Sequence, residues 1–236
     1  MPSIRMLLGI LFLLVGAGLM LWALAKPVSE YAAVNIRLAP RQELNDLVIK
    51  VASGYPTDGS MKSLRSHDPE FSGYGVTTDV LYAGRLVAKA RPGGRSHCIG
   101  FVFEVFMQAL DRHQRHTGRR VALFERSPDL LRRFQQEFYG TDGSIGTFVD
   151  ALIRYGLGRE IRDISQAKRG DLVQFWYRTG YGHAGIIWDL IRNSAGEVCG
   201  IRFLQSGRGS IHFEEQDLST TTSAVAQIFV VRPMAP

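Results

Sequence analysis

The fold is decided by residues 170–187, GDLVQFWYRTGYGHAGII. Leu172 to Tyr177 is rich in β-branched and aromatic residues, and so is the stretch that follows His183. Gly180 and Gly182 shape a tight turn between them. The reading is two strands, the first opened by Gly170-Asp171 and the second begun by His183. Further along, 183–191, 198–204 and 228–231 are strand-like. Asn193 to Gly196 (NSAG) supplies a turn between two of them.

Before this region the pattern is helical. SHCIGFVFEVFMQALDR, residues 96–112, is apolar at nearly every position from Ile99 to Leu110; Gly100, Glu104 and Gln108 are the exceptions. A helix apolar on almost all sides is central and buried, and the three exceptions fall on one stripe. Ser96 is the expected cap, which puts Cys98 in the first turn. The helix fades into 111–120, read as a polar surface end. Ser127-Pro128 opens a helix to about Tyr139, and Ser144 opens another to Tyr155, stopped by Gly156. Residues 43–52 (ELNDLVIKVA) carry a helical apolar spacing. Residues 54–75 read as a long loop, 80–90 as a hairpin with Gly84 at its turn, and 91–95 (RPGGR) as a glycine-rich approach. Helices first and then an antiparallel sheet make an α+β fold, with a buried helix carrying a cysteine near its start.

With 45% hydrophobic and 21% charged residues, the chain has the composition of a globular protein, not a disordered one. The net charge of +6 favours anionic partners. The basic residues are scattered, however, with small clusters at Arg119-Arg120 and Arg132-Arg133. No nucleic-acid motif accompanies them, so a solvated basic surface is expected and nucleic acid is not an expected partner. Arg5 precedes an uncharged run, Met6 to Ala25. About twenty such residues span a bilayer, and the pattern also fits a cleaved signal peptide. Either reading exports the rest of a bacterial chain. The expected organisation is a membrane anchor or signal peptide over 1–25, a linker over 26–42 and one domain over 43–236.

Two cysteines, Cys98 and Cys199, are no disulfide framework, though they could form one bridge in an oxidising compartment. A thiolate is favoured at a helix start and beside an imidazolium, so a low pKa is expected of Cys98. Backbone N–H groups there can hold an oxyanion. His183, with small neighbours Gly182, Ala184 and Gly185, is the expected base. On the next strand Ile201, Phe203 and Gln205 share a face by period two. Gln205 is thus a candidate to orient the imidazole, with Ser206 a weaker one on the other face. His97 can assist Cys98 or contact substrate, or be a surface residue at the helix start. Tyr181, in the glycine-rich turn, is a candidate groove wall. His113 and His116 are three apart but lack supporting ligands, so no metal is expected. Cys199 reads as core packing.

A cysteine at a buried helix start, then G-D-x-V-x-F-W, then G-H-A-G-I, then a polar residue on the following strand resembles papain-like cell-wall cysteine hydrolases of the NlpC and CHAP type. The closing I-F-V-V-R-P, 228–233, resembles that fold's last strand. The likeness covers about residues 96–233, with a gap through the middle helices. It implies a papain-like fold that cleaves a peptide or amide bond, in peptidoglycan for that family, by Cys98, His183 and Gln205 and without a cofactor. The upstream tyrosine common near the oxyanion site in those families would fall on Tyr82. The chain departs from the pattern at His97 and Ile99, where Asp and Ser are usual, and in offering Gln at the third position. These departures keep open a silent, membrane-tethered domain that binds an anionic wall polymer. An acyltransferase using the same pair also stays open.

Overall fold

The computed structural model describes residues 42–64, 68, 73–140, 147–219 and 224–235. In chain order its elements are β1 (Gln42–Glu43), α1 (Asn45–Ala52), β2 (Val80–Tyr82), β3 (Arg85–Ala88), α2 (Cys98–Thr117), α3 (Ala122–Arg126), α4 (Pro128–Tyr139), α5 (Phe148–Arg154), β4 (Gly158–Glu160), a 3₁₀ turn (Ile164–Gln166), β5 (Leu172–Tyr177), β6 (Gly182–Arg192), β7 (Val198–Gly207), β8 (Ser210–Asp217) and β9 (Val225–Ala235). The class is α+β, with five α-helices among the described residues. The expected membrane segment over 1–25, and all of the expected linker except Gln42, lie outside the described residues. Gln42 itself pairs in β1, so the domain begins at least one residue before 43. Among the described residues no helix is long and apolar enough to cross a membrane.

The sheet runs β1-β9-β5-β6-β7-β8, with β4 also on β9, and every pairing is antiparallel. Side chains alternate between its faces. Leu172, Ala184, Ile186, Leu204, Ile211 and Val231 face the helices and join their core. Val173, Phe175, Ile187, Ile201, Phe203 and Val230 form a second core on the opposite face. The sheet curls around that second core, so that Tyr177 Oη on β5 donates to Gln216 Oε1 on β8 at 3.0 Å, across two intervening strands.

Helix α2 lies against α1, β2, β6 and β7. Phe101, Phe103 and Phe106 are fully buried there. Each contributes roughly 1.5–3 kcal/mol relative to exposure. The polar stripe has a use that composition alone did not reveal. Glu104 is buried and accepts from Thr77 N (2.6 Å), Thr77 Oγ1 (2.7 Å) and Thr78 Oγ1 (2.8 Å), pinning the loop before β2 to the helix. At Gly100 the backbone of that loop passes so close that any β-carbon would collide with the Tyr74 and Gly75 carbonyl oxygens.

Several boundaries differ from expectation. The cap of α2 is His97, not Ser96. The far end of α2 is not wholly a surface, since Asp111, His113 and Gln114 are buried. α5 begins after Thr147, whose hydroxyl and backbone N–H both bond Asp150 in a capping box, so Ser144 does not open it. The sequence reading missed α3, β4 and β8. The β8 omission matters most, because that strand reaches the candidate site.

Candidate active site

Cys98 is the first residue of α2. Its position is fixed from both sides. His97 N donates to Gly75 O at 3.1 Å, and the His97 ring caps the helix by accepting Gly100 N–H on Nδ1 at 3.0 Å. Ser96, fully buried, bonds Ser206 of β7 through both hydroxyls (2.8 Å), and Ser206 Oγ donates to Ser96 O at 3.1 Å. The helix start is therefore tethered to the sheet two residues before the nucleophile candidate. The cap uses the Gly100 N–H, which leaves those of Cys98 and Ile99 at the helix start. Both, with the Ala184 N–H from β6, favour the charged form of the Cys98 sulfur.

His183 is the second residue of β6, beside Ala184, on the opposite face of the strand and at the same end of the sheet. The register carries a polar row across three strands there. Gln205 on β7 lies directly opposite His212 on β8, with Glu214 one step along the same face. Gln205 Nε2 donates to Glu214 Oε2 and to His212 Nε2, each at 2.8 Å. A carboxylate only accepts, so the amide nitrogen must face Glu214 and Oε1 must face away. His212 accepts on Nε2, which puts its proton on Nδ1, donated to Ser210 O at 3.1 Å. Gln205 Oε1 is buried and makes no hydrogen bond in the resting structure; its nearness to the His183 imidazole pulls that ring's pKa upward. Gly207 completes the arrangement: a β-carbon there would sit 2.6 Å from Gln205 Oε1 and 3.4 Å from His183 Cε1.

Cys98 and His183 open onto one cleft of about 390 Å³. Its walls include Ile99, Phe138, Tyr139, Phe148, Gln174 and Trp176. Phe138 and Phe148 stack at 5.0 Å. Trp176 lies against Gly182, where a β-carbon would come within 3.2 Å of the indole.

The electrostatics reverse one expectation. Burial pushes the Cys98 thiol up, and the N–H groups of Ile99, Ala184 and Cys98 only partly offset it. The resting group is a thiol, not the thiolate that a helix start alone implies. Burial likewise holds His183 below its ordinary value of 6.5, against the opposing pull of the Glu214 charge and the Gln205 hydrogen bond. His183 is thus a neutral imidazole at neutral pH. Glu214→Gln should lower its pKa further, because both opposing influences run through Glu214. NMR titration of the His183 ring protons checks this; an unchanged or raised value would show that Glu214 does not act on the imidazole.

Of the six residues singled out from the sequence, the structure gathers Cys98, His183 and Gln205 at one end of the sheet. His97 is adjacent, but both its ring nitrogens are engaged: Nδ1 caps Gly100, and Nε2 donates to Gly73 O at 3.1 Å. It is 5% exposed, so the surface reading fails, and its observed contacts are those of a cap. Tyr82 is not brought to the site. It is 2% exposed, packs on Phe124, and its hydroxyl accepts Val121 N–H at 2.9 Å. Tyr181 stands at the β5–β6 tip, 66% exposed, and Trp176 takes the wall position expected of it. Cys98 and Cys199 are both free, and the Cys199 thiol donates to Ile191 O at 3.6 Å. His113 is 3% exposed and is not a solvated residue. Among the described residues no cluster of three or more His, Cys, Asp or Glu is arranged to hold a metal.

Sequence reading missed His212, Glu214, Phe138 and Phe148. The first two had a signal, the alternation Ile211, Phe213 after Arg208-Gly209. The two phenylalanines had none beyond being helical and apolar. No protein-family model matches the chain, and no curated protein or solved structure matches it either.

Proposed function

We propose that this chain is an extracytoplasmic thiol hydrolase with a papain-like arrangement, cleaving a peptide or amide bond. The single observation that carries the reading is the convergence of Cys98 and His183 on one cleft, with Gln205 turned so that its unpartnered acceptor oxygen is free for the imidazole. The uncharged run from Met6 to Ala25 supports export or anchoring. The resemblance of the G-D-L-V-Q-F-W and G-H-A-G-I segments to cell-wall hydrolases makes peptidoglycan the first substrate to try.

In this reaction neutral His183 takes the Cys98 proton as sulfur attacks the carbonyl carbon. The N–H groups of Cys98 and Ile99 hold the oxyanion. His183 returns the proton to the amine as the C–N bond breaks, leaving a thioester. Water then attacks with His183 again as base, releasing the carboxylate and restoring the thiol. Gln205 accepts the imidazole N–H throughout and so fixes the tautomer. No cofactor enters this sequence.

A silent binding domain is the rival, and the neutral resting thiol is the observation on its side. The test is amine release from peptidoglycan fragments and from N-acyl peptides by the full-length chain, beside Cys98→Ala. Release that depends on Cys98 supports hydrolysis. Wall binding that survives Cys98→Ala with no released amine would replace the hydrolase with the binding domain. Acyl transfer to an added amine in place of water would make the chain an acyltransferase.

A further inference from the structure

We infer that the cleft beside Cys98 receives an uncharged, apolar group of the substrate, of aromatic or branched-aliphatic size, next to the scissile bond. This rests on Cys98 being the nucleophile proposed above. Ile99, Phe138, Phe148 and Trp176 make the apolar walls. Phe138 and Phe148 are each 1% exposed, so they back the cleft as close-packed core that cannot swing aside cheaply, and Ile99 and Trp176 present its more open apolar surface.

No charged side chain lines the cleft among the described residues. Gln174 is its uncharged polar wall, and its Oε1 already accepts Phe148 N–H at 3.2 Å. A carboxylate or ammonium entering here loses water and gains no counter-charge, which is costly. Among the described residues, none of the basic side chains behind the net charge of +6 lines this surface. The basic surface and the cleft therefore make different demands: an anionic polymer can be held outside, while the group beside the cleaved bond is apolar.

Size agrees. A cavity of about 150 Å³ suffices for benzene, and this cleft offers about 390 Å³, within the range of ligand pockets. A phenyl or branched aliphatic group fits with space left for the reacting carbonyl at the sulfur. Trp176, half-buried, supplies a flat face for offset or edge contacts.

The experiment compares labelling of the full-length chain by three reagents at one fixed alkaline pH: N-benzyl iodoacetamide, iodoacetamide and iodoacetate. Peptide mapping separates Cys98 from Cys199, which serves as an internal reference outside the cleft. The benzyl reagent should label Cys98 about tenfold or more faster than iodoacetamide, a gain of the size that one well-filled apolar contact gives. Iodoacetate should be slowest, and Cys199 should lack the benzyl preference. Trp176→Ala should shrink the preference, as should the milder Phe148→Leu if the first variant folds poorly.

Equal rates at Cys98 for the two neutral reagents would overturn the inference, as would faster labelling by iodoacetate or no labelling by any of the three. The hydrolase reading fails separately. Benzyl selectivity with no amine release from any substrate would leave the apolar cleft standing and remove the reaction. Amine release without selectivity would do the reverse.

Discussion

Asp171→Ala should lower folding stability by about 3–5 kcal/mol, the cost of breaking a buried ion pair from one side. The Asp171 side chain is fully buried and receives Arg232 through both oxygens, Nε to Oδ1 at 3.0 Å and Nη2 to Oδ2 at 2.9 Å. Asn45 Nδ2 adds a bond at 2.7 Å and Lys168 N one at 2.8 Å. One carboxylate thus joins α1, the turn before β5, and β9. Removing it leaves Arg232, with only 5% of its side chain exposed, without its closest counter-charge. The Gln166 carbonyl at 2.8 Å is neutral, and the Glu43 carboxylate at 3.5 Å is far more exposed. Urea unfolding checks the value, with an unchanged denaturant slope as the sign that only stability moved. A loss below about 1 kcal/mol would mean that Glu43 takes over as partner and that the pair is not the clamp described. The site is at the other end of β5, so labelling of Cys98 in the folded variant should stay as in the native chain.

This clamp explains why part of the fold was legible in the sequence. The Gly170-Asp171 opening looked like a motif and is structural: Asp171 holds the strand start, and Gly170, at φ +88°, packs against the Asn45 backbone where a β-carbon would not fit. The strands after it were legible because both faces of the sheet are covered by apolar cores, so their β-branched and aromatic content is high. β8 was not, because Ile211 and Phe213 face the helix core while its other face carries the polar His212 and Glu214, and its turn is a two-residue Arg208-Gly209 reversal with both residues at positive φ. The helix start was legible as a helix but not in its cap. A histidine cap is unusual, and here it works only because the loop at Gly75 comes close enough to hold the ring. Cys98, His183 and Gln205 are candidates by their positions in the sequence, and the structure brings them to one end of the sheet. The low thiol pKa expected of Cys98 could not survive contact with the structure, since a helix start raises the expectation of a thiolate but burial decides against it. Tyr82 failed for a simpler reason: an isolated tyrosine in a predicted hairpin gives no sign of whether its ring points to a core or to a cleft.

The largest functional effect short of removing the sulfur is expected at His183. Because the Cys98 thiol is pushed up and His183 is held below 6.5, both groups are neutral at rest, and the proposed hydrolysis needs the imidazole as a base at the moment of attack. His183→Ala should therefore cut turnover by about 10²–10⁴, the usual worth of a positioned general base, while Cys98→Ala abolishes it. The pH profile follows from the same two shifts. A histidine with a lowered pKa is already free base at pH 6.5, so the rate should rise through a value below 6.5 and then stay level. Simple alkylation of Cys98, which requires thiolate, should instead keep rising into the alkaline range above that of an ordinary thiol. The two curves separate general-base catalysis from a preformed thiolate–imidazolium pair. Such a pair would give fast alkylation on a plateau well below pH 7 that disappears in His183→Ala. Measuring iodoacetamide rates against pH in a Cys199→Ala background decides between them. A low-pH plateau would mean that the N–H groups of Cys98, Ile99 and Ala184 outweigh burial at the sulfur.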